Sequence, residues 1–144
     1  MTTSDGSSAL GSDQSFYEAK AHLYGHGYNK VALKQVLACL PDGGSVLDVG
    51  CGSGVMLGKL ADRAGYLAGV ELSAKAAANA AQVAHQVVNA PVDANLPFKP
   101  GSFDVVICAD ILEHLPDPAA ALAGIGRYCR PGGAVVISVP NVAN

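Results

Sequence analysis

The stretch from Val46 to Gly54, which reads Val-Leu-Asp-Val-Gly-Cys-Gly-Ser-Gly, limits what this chain can fold into more than any other feature. An apolar, β-branched run enters it, and glycine stands at alternate positions, Gly50, Gly52 and Gly54. This pattern predicts a strand that turns directly into a helix, so that backbone N–H groups and a helix N-terminus converge on one point. Because alternate glycines let a ligand approach that backbone without meeting a Cβ atom, the turn is predicted to hold a small polar molecule.

The spacing of these glycines differs from the Gly-x-Gly-x-x-Gly fingerprint of dinucleotide-binding folds, since Val55 stands where its third glycine would be. Asp48 lies on the strand just before the glycines. A carboxylate there would not favour a pyrophosphate, but it would favour a ligand with an ammonium or sulfonium group. The segment resembles motif I of class I S-adenosylmethionine-dependent methyltransferases. That resemblance implies S-adenosylmethionine as the cofactor, with Asp48 supporting its methionine end and Cys51 among the cofactor-binding loop residues.

Composition and charge limit the classes of partner. A chain of 144 residues, half of them hydrophobic, is long enough for one domain with a real core. The net charge of −3 and the lack of a Lys/Arg run argue against a nucleic-acid partner. No apolar run approaches the length of a membrane span, and the N-terminus lacks the shape of a signal peptide. We therefore expect small-molecule partners and no membrane association.

The four cysteines, Cys39, Cys51, Cys108 and Cys129, are scattered and include no Cys-x-x-Cys pair. This spacing is typical neither of a zinc site nor of a disulfide framework. Nothing near Cys51 in the sequence would activate it as a nucleophile. Reduced thiols predict a cytoplasmic location.

Strand and helix patterns alternate along the chain. They predict an α/β fold, a doubly wound, Rossmann-like and mostly parallel sheet with helices on both faces. Residues 1–13 are predicted to be a disordered tail, and residues 14–144 to form the cofactor-binding domain. The predicted strands are 45–49, 65–71, 85–89, 103–108 and 134–139. The predicted helices are 31–40, 55–64, 74–84 and 119–129, and a turn is expected at 130–133.

Glu71 ends the second predicted strand, about 20 residues after the glycine loop begins, the spacing at which a dinucleotide fold presents a carboxylate to ribose hydroxyls. The same chemistry applies to any adenosine ligand, so Glu71 is predicted to hold the ribose, with Leu72 beside it in the site. The segment after the third strand resembles the family's adenine-binding segment. That resemblance implies that Asp93 and Ala94 contact the adenine, although Asp93 is also plausible as a plain turn residue.

The segment from Ala109 to Pro118 follows the fourth strand and resembles motif IV of small-molecule methyltransferases. Ligands in open α/β sheets bind at the carboxyl ends of the strands, so Ala109 and Asp110 are predicted cofactor contacts where the acceptor meets the methyl group. His114 is the candidate general base, because a histidine can accept a proton near neutral pH. A histidine that is merely packed in the loop is the alternative.

A metal is a further alternative at this loop, because Asp110-x-x-Glu113-His114 resembles the metal-binding run of small-RNA 2′-O-methyltransferases. Leu115 occupies the position where such a site would need a second histidine. We therefore predict no metal.

Aromatic residues and histidines occupy positions 16–28, ahead of the first predicted helix. In the resembled family such a segment often folds over the cofactor or acceptor, which implies that Tyr17 and Tyr24 line the site. Anchoring of the first helix to the core is the alternative.

Members of the family continue past the fifth strand with two more strands, an antiparallel pair that completes the sheet. These are missing from this sequence, which resembles the family over about residues 16–141. Either the sequence is a fragment, or the strand at 134–139 is an exposed edge that needs a partner, and a homodimer through that edge is one expectation.

Together these features predict an S-adenosylmethionine-dependent methyltransferase that acts on an oxygen, nitrogen or carbon atom of a small molecule. Two alternatives remain open at this point. One is a domain that binds the cofactor without catalysing methyl transfer. The other is a nucleotide-binding oxidoreductase, which Val55 and Asp48 disfavour.

Overall fold

A computed structural model describes residues 28–92 and 95–141. Five strands form one sheet in the order β3-β2-β1-β4-β5, and every described strand pair is parallel. The strands are β1 Ser45–Val49, β2 Tyr66–Val70, β3 Gln86–Val88, β4 Phe103–Ala109 and β5 Cys129–Ser138. The helices are α1 Lys30–Cys39, α2 Val55–Lys59, α3 Ala74–Ala80 and α4 Pro118–Gly126, with a 3-10 turn at Leu112–His114.

Helices cover both faces of the sheet, as predicted. On one face α1, α2 and α3 pack over Val46, Val105 and Ile107, and on the other α4 and Tyr128 pack over inward-facing residues such as Leu47 and Val106. The central strands β1 and β4 are nearly inaccessible to solvent, as expected for parallel strands covered on both sides. The sequence-based fold class is therefore confirmed.

The expected turn at 130–133 lies inside a longer strand. Phe103 pairs with Cys129 but Val105 pairs with Ala134, so four residues of β5 bulge out of register. The carboxylate of Asp104 holds this bulge, because it accepts hydrogen bonds from the Arg130 guanidinium and from the backbone N–H of Ser45. Such a side-chain contact leaves no periodic signal in the sequence.

Three helices end earlier than their apolar patterns indicated. Helix α4 ends at Gly126 instead of residue 129, where β5 begins. Helix α2 ends at Lys59 instead of residue 64, and α3 ends at Ala80 instead of residue 84. In both cases turns continue the chain, with Leu60 N donating to Leu57 O and Val83 N donating to Ala80 O. The residues after these helices have helical propensity, but the helices end earlier because the chain must turn back to form the next strand of the sheet.

Candidate functional site

The site is built where β1, β2 and β4 end side by side. The glycine loop, residues 50–54, is fixed to the end of β2, because Gly50 N and Cys51 N both donate to Val70 O, at 2.7 and 2.9 Å. Gly50, Gly52 and Gly54 all have positive φ, the conformation that glycine adopts without steric cost. The predicted strand–turn–helix arrangement is therefore present.

Glu71 lies directly against this loop. One carboxylate oxygen accepts from Gly52 N at 3.0 Å and the other accepts from Ser73 N at 2.7 Å. Each carboxylate oxygen has a second lone pair, so the group can still accept hydrogen bonds from a ligand. The two backbone donors orient the side chain before any ligand binds.

Asn89 fixes the backbone at Glu71 and Leu72, and this residue was not predicted from the sequence. Its side-chain amide donates to Glu71 O at 2.9 Å and to Leu72 O at 2.8 Å. Leu72 itself is partly buried beside Glu71. The signal that could have identified Asn89 is the position of an amide side chain at the carboxyl end of the third strand. The sequence analysis assigned this residue only to the end of that strand.

Asp48 is buried beneath the loop, with only 4% of its surface exposed. Burial, and secondarily the nearby carboxylate of Glu71, raises the pKa of Asp48 to about 7. A positively charged ligand group beside this carboxyl would favour its ionised form.

Cys51 contributes backbone to the loop, while its side chain points into the core. Its Sγ packs on Gly69, where an added Cβ would come within 2.6 Å of the sulfur. Burial raises the pKa of the Cys51 thiol, and the carboxylate of Asp48 adds to this effect. The arrangement is that of an inert core thiol and not of a nucleophile.

The acceptor loop, residues 109–114, leaves β4 and turns back onto the glycine loop. The Ile111 side chain lies so close to Gly50 that a Cβ on that glycine would be 2.8 Å from it. The Asp110 carboxylate points the other way, toward Asn29 and Ser138. The cofactor contacts predicted for Ala109 and Asp110 stay predictions.

His114 ends the 3-10 turn of the acceptor loop. Its Nε2 lies 3.5 Å from the Glu113 Oε1, and its backbone N–H donates to Ile111 O at 2.9 Å. The imidazole is 42% exposed. Glu113 thus lies next to the imidazole of His114.

The predicted site residues Asp93 and Ala94, and the aromatic residues Tyr17 and Tyr24, lie outside the described residues. Within the described ranges, no group of three or more His, Cys, Asp or Glu side chains could hold a metal ion. Nor is any helix in that part of the chain long and apolar enough to cross a membrane.

A cavity of about 370 Å³ lies away from the glycine loop, between α4 and the loop after β3. Its lining includes Asn95, Asp117, Arg127 and Tyr128 but neither Glu71 nor His114. This cavity therefore does not coincide with the predicted cofactor-binding residues around the glycine loop.

Comparison with known proteins agrees with this geometry. Residues 47–137 match the family described as methyltransferase domain. The chain belongs to this family. It is 36% identical over 124 residues to the ubiquinone biosynthesis O-methyltransferase of Albidiferax ferrireducens, a match that covers 81% of this chain and 49% of that protein.

Two solved structures resemble the methyltransferase domain. One is the putative methyltransferase in complex with the Trm112 methyltransferase activator of Haloferax volcanii, with a TM-score of 0.73, 27% identity, and 88% of this chain and 59% of that chain covered. The other is the [4+2]-cyclase SpnF, with a TM-score of 0.65, 27% identity, and 78% and 46% covered. The chain spans about half the length of the curated relatives it matches.

The predicted family is confirmed, and with it S-adenosylmethionine as the family's cofactor. The individual residue roles stay predictions. The described residues are compatible with such a cofactor at two points, because the buried carboxyl of Asp48 lies beneath the glycine loop and the carboxylate of Glu71 is fixed against it.

We expect Asp48 to make the free energy of unfolding of the methyltransferase domain fall as the pH rises from 4 to 7. In the unfolded chain Asp48 ionises near pH 4, whereas in the folded domain it stays protonated up to about pH 7. The folded state therefore binds more protons between these values, and this residue's contribution to the free energy of unfolding falls as pH rises from 4 to 7, by up to about 4 kcal/mol.

Urea unfolding from pH 4 to 8 checks this prediction when wild type is compared with Asp48→Asn. The variant is isosteric and cannot ionise, so the difference between the two curves isolates Asp48 from other carboxylates. The variant should gain stability over wild type as pH rises to 7, and the gap should then stay constant. Parallel curves would contradict the assignment.

Proposed function

We propose that this domain transfers the methyl group of S-adenosylmethionine to a hydroxyl oxygen of a small molecule. The observation that carries the proposal is the pairing of an open glycine loop with two carboxylates, Asp48 beneath it and Glu71 against it. Oxygen is preferred to nitrogen or carbon because the curated relative named above is an O-methyltransferase.

S-adenosylmethionine, when bound, supplies a methyl group on a positively charged sulfur. Asp48 would balance positive charge at the methionine end, and Glu71 would accept hydrogen bonds from the ribose hydroxyls. The adenine contacts predicted for Asp93 and Ala94 remain part of this proposal. The chain's main contribution to rate is positioning, because in-line displacement requires the acceptor oxygen to be aligned and close.

His114 is proposed as the general base. A hydroxyl oxygen that accepts the methyl group of S-adenosylmethionine must lose its proton, and the imidazole of His114 would accept that proton. Glu113, 3.5 Å from Nε2, would orient the imidazole and stabilise its protonated form.

Replacing His114 with alanine is expected to lower the rate of methyl transfer by about 10²- to 10⁴-fold, the usual contribution of a general base. Affinity for S-adenosylhomocysteine should stay within about twofold, because His114 has no predicted contact with the cofactor. Single-turnover transfer of a radiolabelled methyl group measures the first quantity, and calorimetric titration the second. Glu113→Gln serves as the control for orientation and should have the smaller effect.

A cofactor-binding domain without methyl transfer is the second candidate. The observation in its favour is the similarity to SpnF, which is described as a cyclase. The deciding experiment titrates the chain with S-adenosylmethionine, S-adenosylhomocysteine and reduced nicotinamide cofactor, and then supplies phenol, alcohol and amine acceptors. Binding with transfer to a hydroxyl supports the proposal, binding without any transfer supports the second candidate, and binding of the nicotinamide cofactor alone would favour an oxidoreductase.

We also propose that the chain self-associates through β5. Among the described strands β5 pairs only with β4. The side chains of Val135 and Ile137 on this strand, and of Val139 just after it, are 37%, 43% and 59% exposed. Ile137→Lys should shift the chain from dimer to monomer in sedimentation velocity. A wild-type chain that sediments as a monomer throughout the micromolar range would disprove this.

A cytoplasmic location is proposed from the cysteines. Cys39, Cys51, Cys108 and Cys129 are all free thiols. Free thiols are typical of a reducing compartment.

A further inference from the structure

The backbone makes an unusual turn at Asp110, where the chain leaves β4. Asp110 has a φ of 55°, and within residues 28–92 and 95–141 it is the only non-glycine residue with positive φ. Side chains other than asparagine and aspartate rarely adopt this conformation, which costs roughly 1–2 kcal/mol. Something in the surrounding structure must hold the residue there.

Two polar side chains hold it, each from a different element. Ser138 Oγ, at the end of β5, donates to Asp110 Oδ1 at 3.0 Å, and Asn29 Nδ2 donates to Asp110 Oδ2 at 3.1 Å. Asn29 Nδ2 also lies 3.1 Å from Ser138 Oγ, and Asp110 N donates to Ser138 O at 3.0 Å. Both carboxylate oxygens of Asp110 are therefore occupied on the side away from the glycine loop.

Asn29 also begins α1. Its Oδ1 accepts from Ala32 N at 2.9 Å, so one end of the amide caps the helix while the other end contacts the acceptor loop. These hydrogen bonds form a bridge from Asn29 to Asp110, which is 81 positions away in the sequence, and to Ser138, which is 109 positions away. It is the point where α1, β5 and the acceptor loop meet.

The direction of the chain after Asp110 determines two contacts of the site. The turn places the Ile111 side chain on Gly50, in the glycine loop. It also starts the 3-10 turn in which His114 N donates to Ile111 O. A shift at Asp110 would thus move both the cover of the glycine loop and the candidate base.

We propose that Asn29 is a positioning residue for methyl transfer: through Asp110 and Ser138 it fixes the acceptor loop against the glycine loop. This inference rests on the proposed function for its catalytic meaning, whereas the positioning itself is a property of the unliganded chain. The side chain of Asn29 hydrogen-bonds to Asp110, Ser138 and Ala32, so its effect on the site would pass through the acceptor loop.

A reciprocal exchange tests the bridge. Asn29→Asp keeps an oxygen to cap α1 but places a carboxylate against that of Asp110. Adding Asp110→Asn restores one amide and one carboxylate in exchanged positions, and asparagine tolerates positive φ as well as aspartate does. Deuterium exchange of peptides covering residues 109–115, without ligand, should be faster in Asn29→Asp and return to wild-type rates in the double variant.

Affinity for S-adenosylhomocysteine gives a second readout. Asn29→Asp should weaken binding by about three- to tenfold through the contact of Ile111 with Gly50, and the double variant should recover to within about twofold. The control is Val36→Ala, which opens a cavity under α1 without touching the bridge. It should lower the unfolding temperature but leave both readouts unchanged.

Failure of the double variant to restore slow exchange would overturn the proposal, and so would equal effects of Val36→Ala and Asn29→Asp. If wild type does not bind S-adenosylhomocysteine at all, the proposed function fails while the exchange data still decide whether Asn29 positions the loop.

Discussion

A Gly52→Ala variant is expected to fold and to lose cofactor affinity by about 30- to 100-fold. No atom of the described residues lies within 4 Å of the position that a Cβ at Gly52 would occupy, so among these residues the added methyl group enters open space above the loop. That space is where the proposed cofactor would approach the backbone, beside the Gly52 N–H that donates to Glu71. Displacing a tightly packed ligand by one methyl group costs roughly 2–3 kcal/mol of binding free energy.

Gly54→Ala is the matched control, because it makes the same substitution two residues further along at a similar positive φ. A Cβ at Gly54 would lie 2.9 Å from the Cα of Ala80, which belongs to the backbone of α3. Since backbone cannot rotate away, the variant should lose about 3 kcal/mol or more of folding stability. Gly52→Ala should lose only about 1 kcal/mol, for its positive φ.

Urea unfolding and calorimetric titration with S-adenosylhomocysteine separate the two variants. The expected pattern is a stable Gly52→Ala that binds poorly and a destabilised Gly54→Ala. Wild-type affinity in Gly52→Ala would place the ligand elsewhere, and the cavity near Arg127 would then be the next candidate.

The parts of this site that could be predicted from the sequence are those carried by local pattern. An apolar run followed by alternate glycines specifies a strand and a ligand-accessible turn, and parallel pairing then places Glu71 beside that turn. These local patterns each extend over about 20 residues. They were enough to predict the family, the parallel sheet and the glycine loop.

The parts that could not be predicted depend on side chains that meet across the fold. In the sequence, Asn29 has only the features of a helix N-cap. Its hydrogen bonds to Asp110 and Ser138 depend on the fold, which places the end of β5 beside it. Asp110 was predicted as a cofactor contact because it follows β4, yet its carboxylate is held by Asn29 and Ser138. A polar side chain carries no periodic signal that says which way it points.

Glu71→Ala should have the largest effect on cofactor affinity, a loss of about 100-fold or more. Two hydrogen bonds from ribose hydroxyls to a charged acceptor contribute roughly 1.5–3 kcal/mol each. The variant also removes the acceptor of Gly52 N and Ser73 N, so the loop loses the group that orders it. The cofactor affinity of Glu71→Gln should lie between those of wild type and Glu71→Ala. Its amide retains one acceptor oxygen, but its nitrogen faces a backbone N–H donor.

Asp104→Ala is the appropriate control for this loss. Like Glu71, Asp104 is a carboxylate that accepts from backbone N–H, in this case from Ser45 N at 2.8 Å, but it lies at the opposite end of the sheet. Its removal should lower stability and leave the dissociation constant for S-adenosylhomocysteine unchanged at a temperature well below unfolding. If both variants weakened binding equally, Glu71 would be a structural carboxylate and the ribose would have to be held elsewhere. If only Glu71→Ala did so, the glycine loop and the end of β2 would together form the cofactor site.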